Sequence, residues 1–463
     1  MPLIPPYPPK NSPAGLLREL KPMVSLSVPV VMTELGWMTM SLVDTMMVGR
    51  LSAEAIGAVS IGTAVFLAAT ILGMGLSLGL DTLVSQAHGA NQWRECQGWL
   101  VHGIHLSLLL SPLMMFVLWG SLPYLDLWGF HPDVLALTPP YLKAVSWGIF
   151  PLMLYNTFRR YLQGIGRVKG IMMVLVTANL VNVASNWVLI FGKLGFPAMG
   201  VEGAGWATCI SRLYMALGLG VLIFRYHRRQ RTPLLRVSFK PDLDRMRRLV
   251  NLGLPASLQT TLEVGVFAAV TSLAGRLEPA AVAAHQIALN AAGFVFMVPL
   301  GVSSAGAVRV GREIGRGDPQ RAADSGWMAL LLGSGFMLLS GLLFVLLPEG
   351  IMRLFTVDAQ VIAIGTPLLL IAAAFMFFDG IQVVATGNLR GAADTRTPMV
   401  VNLIGHWPFG MVLGYWLCFH LNWGVQGLWV GLSAGLIGIG AVLLGVWTRK
   451  SGELREGRTA PLQ

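Results

Sequence analysis

Long apolar runs, interrupted by short polar segments, recur from one end of the chain to the other. Twelve can be read, at about 23–49, 55–88, 97–125, 133–160, 168–192, 200–226, 246–275, 280–310, 322–348, 358–389, 397–420 and 424–448. Each is long enough to cross a hydrocarbon core about 30 Å thick as a helix. The runs are continuous and do not alternate polar with apolar, as the strands of a membrane barrel would. The pattern predicts an all-α integral membrane protein of twelve transmembrane helices.

The basic residues orient these spans. With loops placed on alternate sides, 27 of the 33 Lys and Arg fall on the side that holds both termini, 5 fall on the other, and Arg212 lies inside a span. Cytoplasmic loops carry such an excess, so both termini are expected in the cytoplasm and the protein in the plasma (inner) membrane. This topology also accounts for the net charge of +11, so no nucleic-acid partner is expected. The first fifteen residues are Pro-rich without an apolar core, so no cleavable signal is expected. Three widely spaced Cys read as apolar packers.

The chain repeats itself. Pro29 and Pro255 are 226 residues apart, and the same offset relates Gly49-Arg50-Leu51 to Gly275-Arg276-Leu277, Gly75 to Gly301 and Gly89 to Gly315. With small gaps the series continues through Gly164 and Gly391 to Gly200-Val201 and Gly424-Val425. The expected organisation is a cytoplasmic tail (1–22), a first lobe of six helices (23–226), a basic cytoplasmic linker (227–245), a second lobe of six helices (246–448) and a cytoplasmic tail (449–463). Six spans is an even number, so the halves share one orientation. Two pseudo-symmetric lobes around a central cleft are the architecture of parallel-repeat transporters.

Five carboxylates interrupt the spans: Glu34, Asp44, Asp81, Glu263 and Asp379. Charged and facing lipid, they would together cost on the order of 12–17 kcal/mol. They must face an interior, carry protons or hold a cation. Helical periodicity puts Gln259 and Thr260 beside Glu263, and Phe375 and Gln382 beside Asp379, and counting from flanking arginines brings the two acids within about one turn in depth. Asp44, Asn186 and Thr208 fall at one depth near the outer face, with Asn182 a turn deeper. Such a set suits Na⁺, a proton-binding network or an interhelical polar clamp. Glu34, Trp37 and Ser41 share a stripe with Asp44 that is expected to face the cleft. His102 and His105 have no third ligand, and neither a GxSxG elbow nor an HExxH helix is present, so no enzyme, cofactor or transition-metal centre is expected.

Several segments resemble the multidrug and toxic compound extrusion (MATE) transporters. These are Leu42-Val43-Asp44-Thr45-Met46-Met47-Val48-Gly49, Gly253-Leu254-Pro255 followed by Glu263, Ala284 to Asn290, Val298 to Val302 leading to Val308-Arg309-Val310-Gly311, and Asp379-Gly380-Ile381-Gln382 with Leu389-Arg390-Gly391. The pairing of Glu263 with Asp379 is similar to the NorM-like branch. The resemblance implies Na⁺ or H⁺ coupling at Glu263 and Asp379 and a cation site in the first lobe at Asp44, Asn182, Asn186 and Thr208, where Asn186 stands in place of a second Asp of some relatives. Glu34 lies outside the family pattern, and Leu80-Asp81-Thr82-Leu83 looks more like eukaryotic members. The expected activity is antiport of cationic amphiphilic organic compounds (drugs, dyes, toxins) against Na⁺ or H⁺, by a monomer in the bilayer. The alternative is a lipid-linked precursor or polysaccharide flippase, which needs a basic cleft.

Overall fold

The computed structural model describes residues 13–129, 131–230 and 238–457. The outer parts of the expected tails and the centre of the linker, with Arg231, Arg236 and Arg458, lie outside the described residues. Among the described residues the chain is helical throughout. The helices are α1 (Pro13–Val48), α2 (Ala53–Leu76), α3 (Gly79–Gly89), α4 (Trp93–Ser121), α5 (Pro132–Ser146), α6 (Ile149–Gly164), α7 (Val168–Phe191), α8 (Gly200–Arg229), α9 (Leu243–Ala274), α10 (Pro279–Gly315), α11 (Pro319–Leu346), α12 (Pro348–Arg353), α13 (Ala359–Gly391), α14 (Arg396–Ile404), α15 (Val412–Phe419) and α16 (Gly424–Arg455).

These helices build the twelve spans, some from two pieces. Nine stretches among the described residues are long and apolar enough to cross a bilayer. The remaining spans are α5–α6, broken at Trp147–Gly148, the polar helix α9, and α14–α15. Between α14 and α15 a π-helical segment, Gly405–Met411, contains Pro408. Proline has no amide hydrogen to continue the ladder, and a widened turn is one way a helix absorbs that loss.

The repeat is visible in the backbone itself. Residues in the left-handed region recur in equivalent places: Asn91 and Gly317, Gly166 and Ala393, Gly200 and Gly424. The hydrogen bonds that close the helices recur with them. Arg167 N–H donates to Leu162 O at 2.7 Å, as Asp394 does to Leu389 O at 2.8 Å. Gln92 donates to Ala87 O at 2.9 Å, as Asp318 does to Glu313 O at 3.0 Å.

Two compact units emerge, and they do not coincide with the two halves of the chain. One contains the described part of Met1–Val31, Gly89–Asn91 and Leu258–Gln463; the other contains Met32–His88 and Gln92–Ser257. The first helix of each half thus starts in the unit built by the other half. The changeover points, Val31 and Ser257, are themselves related by the 226-residue repeat.

Close packing explains this exchange. In the first unit a Cβ on Gly301 would lie 2.5 Å from a Val31 methyl. In the second, a Cβ on Gly75 would lie 2.6 Å from the Ser257 Cα. Gly75 and Gly301 are repeat partners, and each lacks a side chain where another helix must approach. Polar contacts complete the attachments. Glu19 of α1, fully buried, pairs with Arg309 and accepts hydrogen bonds from Arg321 Nε and Ser325 Oγ, both at 2.9 Å. At the start of α9, Arg245 pairs with Glu95 of α4 at 3.0 Å, and the Asp242 amide donates to His102 Nε2 at 3.0 Å.

Candidate functional site

The five intramembrane carboxylates divide into two kinds. Glu34 pairs with Arg159, and Asp81 with Arg160 at 3.2 Å. Both arginines lie within α6, which continues to Gly164. They are helix residues, Arg159 buried and Arg160 partly so, and not the loop residues that the spacing of charges suggested. Arg212 is therefore not the sole basic residue inside a span. Each pair cancels its own charge in an environment where an isolated charge is costly. Asp44, Glu263 and Asp379 form no ion pair among the described residues.

The second unit holds Asp44. Asn186 of α7 donates through Nδ2 to Asp44 Oδ1 at 2.6 Å and to Asn182 Oδ1 at 3.1 Å. Thr208 of α8 lies 3.3 Å from Asp44 Oδ2 and 3.0 Å from Ala204 O. One hydroxyl hydrogen cannot serve both acceptors fully, so Thr208 can release Asp44 without being orphaned. Asn182 and Asn186 are 0% exposed, and Asn186 Oδ1 and Asn182 Nδ2 have no partner. All four residues expected together are together. They leave one amide oxygen and one amide nitrogen unused.

Glu34, Trp37 and Ser41 lie on the same helix, α1, as Asp44. The Trp37 ring packs on that of Tyr155, with centroids 5.8 Å apart. Ser41 is exposed, and Glu34 is occupied by Arg159.

The first unit holds Glu263 and Asp379. Gln259, one turn before Glu263 on α9, donates to its Oε2 at 2.8 Å. The Gln382 side chain also lies against the Glu263 carboxylate, and its Nε2 donates to Asn402 Oδ1 at 3.0 Å. Asp379, one turn before Gln382 on α13, is buried and within electrostatic reach of Glu263. Gln382 Oε1 has no partner, nor do both ring nitrogens of the fully buried His406, one turn beyond Asn402. Thr260 is half-buried. Phe375 packs on Trp429, with ring centroids 6.3 Å apart. The Trp429 indole donates to His285 Nδ1 at 3.0 Å, and His285 Nε2 meets Thr271 Oγ1 at 2.9 Å.

Sequence reasoning missed Arg159, Arg160, Asn402 and His406. Two signals were present. Gly164 and Gly166, not the arginines, mark where α6 ends. Asn402 and His406 sit four residues apart, on one face of an otherwise apolar span.

Among the described residues no cluster of His, Cys, Asp and Glu suits a bound transition metal. His102 has both ring nitrogens engaged, by Gly98 O and the Asp242 amide. The three cysteines are buried and unpaired.

Comparison with known proteins agrees with the repeat. The MatE family matches residues 29–188 and again 255–416, starting at the two prolines related by 226 residues. A probable multidrug resistance protein NorM of Mesorhizobium japonicum is 34% identical over 95% of this chain and 96% of its own. The multidrug resistance protein PmpM of Pseudomonas aeruginosa is 34% identical over 92% of this chain and 90% of its own. Among solved structures, the eukaryotic MATE transporter AtDTX14 superposes with a TM-score of 0.84 at 22% identity, over 96% of this chain and all of that one. A MOP superfamily transporter from Pyrococcus furiosus gives 0.85 at 20% identity, over 97% of this chain and all of that one. The chain belongs to the MatE family and is a multi-pass membrane transporter, not an enzyme.

Proposed function

We propose that the protein is a secondary antiporter that exports cationic amphiphilic organic compounds in exchange for inward-moving Na⁺ or H⁺. The observation that carries this reading is the division of the carboxylates. Two of five form ion pairs with arginine, whereas among the described residues Asp44, Glu263 and Asp379 form none; amide and hydroxyl groups hydrogen-bond to Asp44, and the Gln259 amide to Glu263. A buried acid without a basic partner is stabilised by whatever cation reaches it. A small ion and an organic cation then compete for the same negative charge, and alternating access turns that competition into exchange. The names of the relatives, multidrug resistance proteins NorM and PmpM, support the cargo class.

Glu263 and Asp379 serve as coupling acids, with Gln259 and Gln382 holding Glu263 in place. Asp44, Asn182, Asn186 and Thr208 serve as a second group of cation-sensitive oxygens. Both termini face the cytoplasm of a plasma (inner) membrane protein in this reading, which the excess of basic residues on one side supports. A lipid-linked precursor would want unpaired basic groups, and the arginines added by the structure, Arg159 and Arg160, are already paired.

The test is efflux of a fluorescent organic cation from proteoliposomes under separately imposed Na⁺ and pH gradients. Efflux driven by either gradient is expected. Efflux that neither gradient drives rejects the reading.

A further inference from the structure

Arg212 of α8 is unusual among the buried arginines. It is 7% exposed and lies one turn beyond Thr208, on the same face of α8. Among the described residues no carboxylate forms an ion pair with it, its hydrogen bond is a long one, 3.5 Å from Nη1 to Val145 O, and its Nε has no partner. The guanidinium rests 4.3 Å from the centre of the Phe66 ring, a contact that holds a cation without neutralising it. Space for it comes from the break between α5 and α6. A Cβ on Gly148 would stand 3.0 Å from Arg212 Nη1. Asp44 is the carboxylate within its electrostatic reach; Tyr141 and Cys209 are the other titratable neighbours.

The Asp44 group therefore carries one negative charge beside one permanent positive charge, since a guanidinium does not lose its proton in a protein. The first unit differs. Glu263 and Asp379 are two carboxyl groups within electrostatic reach of each other, Gln259 and Gln382 lie against Glu263, and among the described residues neither acid forms an ion pair.

We propose that Arg212 is the resident cation of the Asp44 site: it balances the one carboxylate there, keeps Na⁺ from binding in this unit, and leaves Glu263 and Asp379 to hold the coupling ion. The inference rests on the antiport reading and adds the residue that sets ion selectivity. Oxygens for Na⁺ are at hand: the Asp44 carboxylate, the Thr208 hydroxyl and, once its amide turns over, the unpartnered Asn186 Oδ1, hard donors of the kind such an ion takes. What the site lacks is net negative charge. Asn186 is where that charge could be supplied, because it already touches Asp44.

The experiment measures Na⁺ binding on the purified full-length protein by ²²Na⁺ retention and by the Na⁺-dependent shift of the thermal unfolding midpoint. The starting variant is E263Q/D379N, which removes the acids of the first unit. It is expected to bind no Na⁺. Adding Arg212→Gln is expected to raise Na⁺ affinity tenfold or more, on the order of what loss of a nearby like charge produces. Adding Asp44→Asn on top removes the gain. Arg212→Lys keeps the charge and gives no gain, which separates charge from packing. Asn186→Asp leaves Arg212 in place, restores net negative charge, and gives the gain by a second route if Arg212→Gln does not fold. Na⁺ binding at Asp44 in E263Q/D379N with Arg212 intact overturns the proposal. So does a folded Arg212→Gln variant, or an Asn186→Asp variant, without gain. Failure of antiport itself appears elsewhere, as wild-type efflux that ignores both gradients, because the binding measurement does not depend on transport.

Discussion

The Asn186 amide donates a 2.6 Å hydrogen bond to Asp44, tying α7 to α1 across 142 residues of chain. Asn186 has no exposed surface and spends both of its amide hydrogens, one on Asp44 and one on Asn182. Replacing Asn186 with Leu removes both donors at once. Leaving a buried acceptor unsatisfied costs about 1–3 kcal/mol. The expected result is a thermal unfolding midpoint below that of wild type and weakened efflux, while Asn186→Gln, which keeps the amide, recovers part of both.

Asp44→Asn is expected to impair efflux by a different route. It leaves Arg212 without the carboxylate within its electrostatic reach. Transport at the wild-type rate, with normal amounts of protein in the membrane, would remove Asp44 from the mechanism and leave coupling to the other unit.

Glu263→Gln and Asp379→Asn should each abolish ion-driven efflux while the protein still inserts. Each keeps the shape and removes the charge. Gln259 and Gln382 can still hydrogen-bond to an amide at position 263. Full efflux in both variants, measured in proteoliposomes, would exclude these acids as coupling groups.

The Glu34–Arg159 pair is buried, with 12% and 5% of the side chains exposed. Removing one partner strands the other charge, at a cost of about 3–5 kcal/mol. Glu34→Gln and Arg159→Gln should each lower the unfolding midpoint strongly, and the double variant should lose less than the sum of the two. Strict additivity would show that the pair contributes no mutual stabilisation.

Ala393 and Gly166 offer a test of the repeat. Both adopt positive φ, 66° and 75°, at equivalent helix ends. A side chain in that region costs roughly 1–2 kcal/mol. Ala393→Gly is expected to raise the unfolding midpoint and Gly166→Ala to lower it. A lower midpoint for Ala393→Gly, or a higher one for Gly166→Ala, would refute the claim that the two turns share one conformation.

Much of this protein was legible without coordinates. Hydrocarbon thickness imposes a length on every span, and a buried carboxylate must be provided for, so apolar run lengths and the five acids could be read directly. Gln259 next to Glu263 and Asn182 next to Asn186 follow from helical periodicity alone, because residues four apart share a face. The 226-residue offset announced duplication, and the recurrence of left-handed turns at Asn91 and Gly317 followed from it.

Partners from distant helices could not be read in that way. Nothing local distinguishes Glu34, which forms an ion pair with Arg159, from Asp44, which is hydrogen-bonded by an amide; the difference arises where α6 and α7 pass beside α1. Nor does spacing show that α1 and α9 begin in the unit of the opposite half, which the lack of a side chain at Gly75 and Gly301 permits through close approach. Sequence by itself determined which side chains are too costly to leave in lipid. Only the tertiary structure decided which of them meet an opposite charge, because that depends on contacts between residues far apart in the chain.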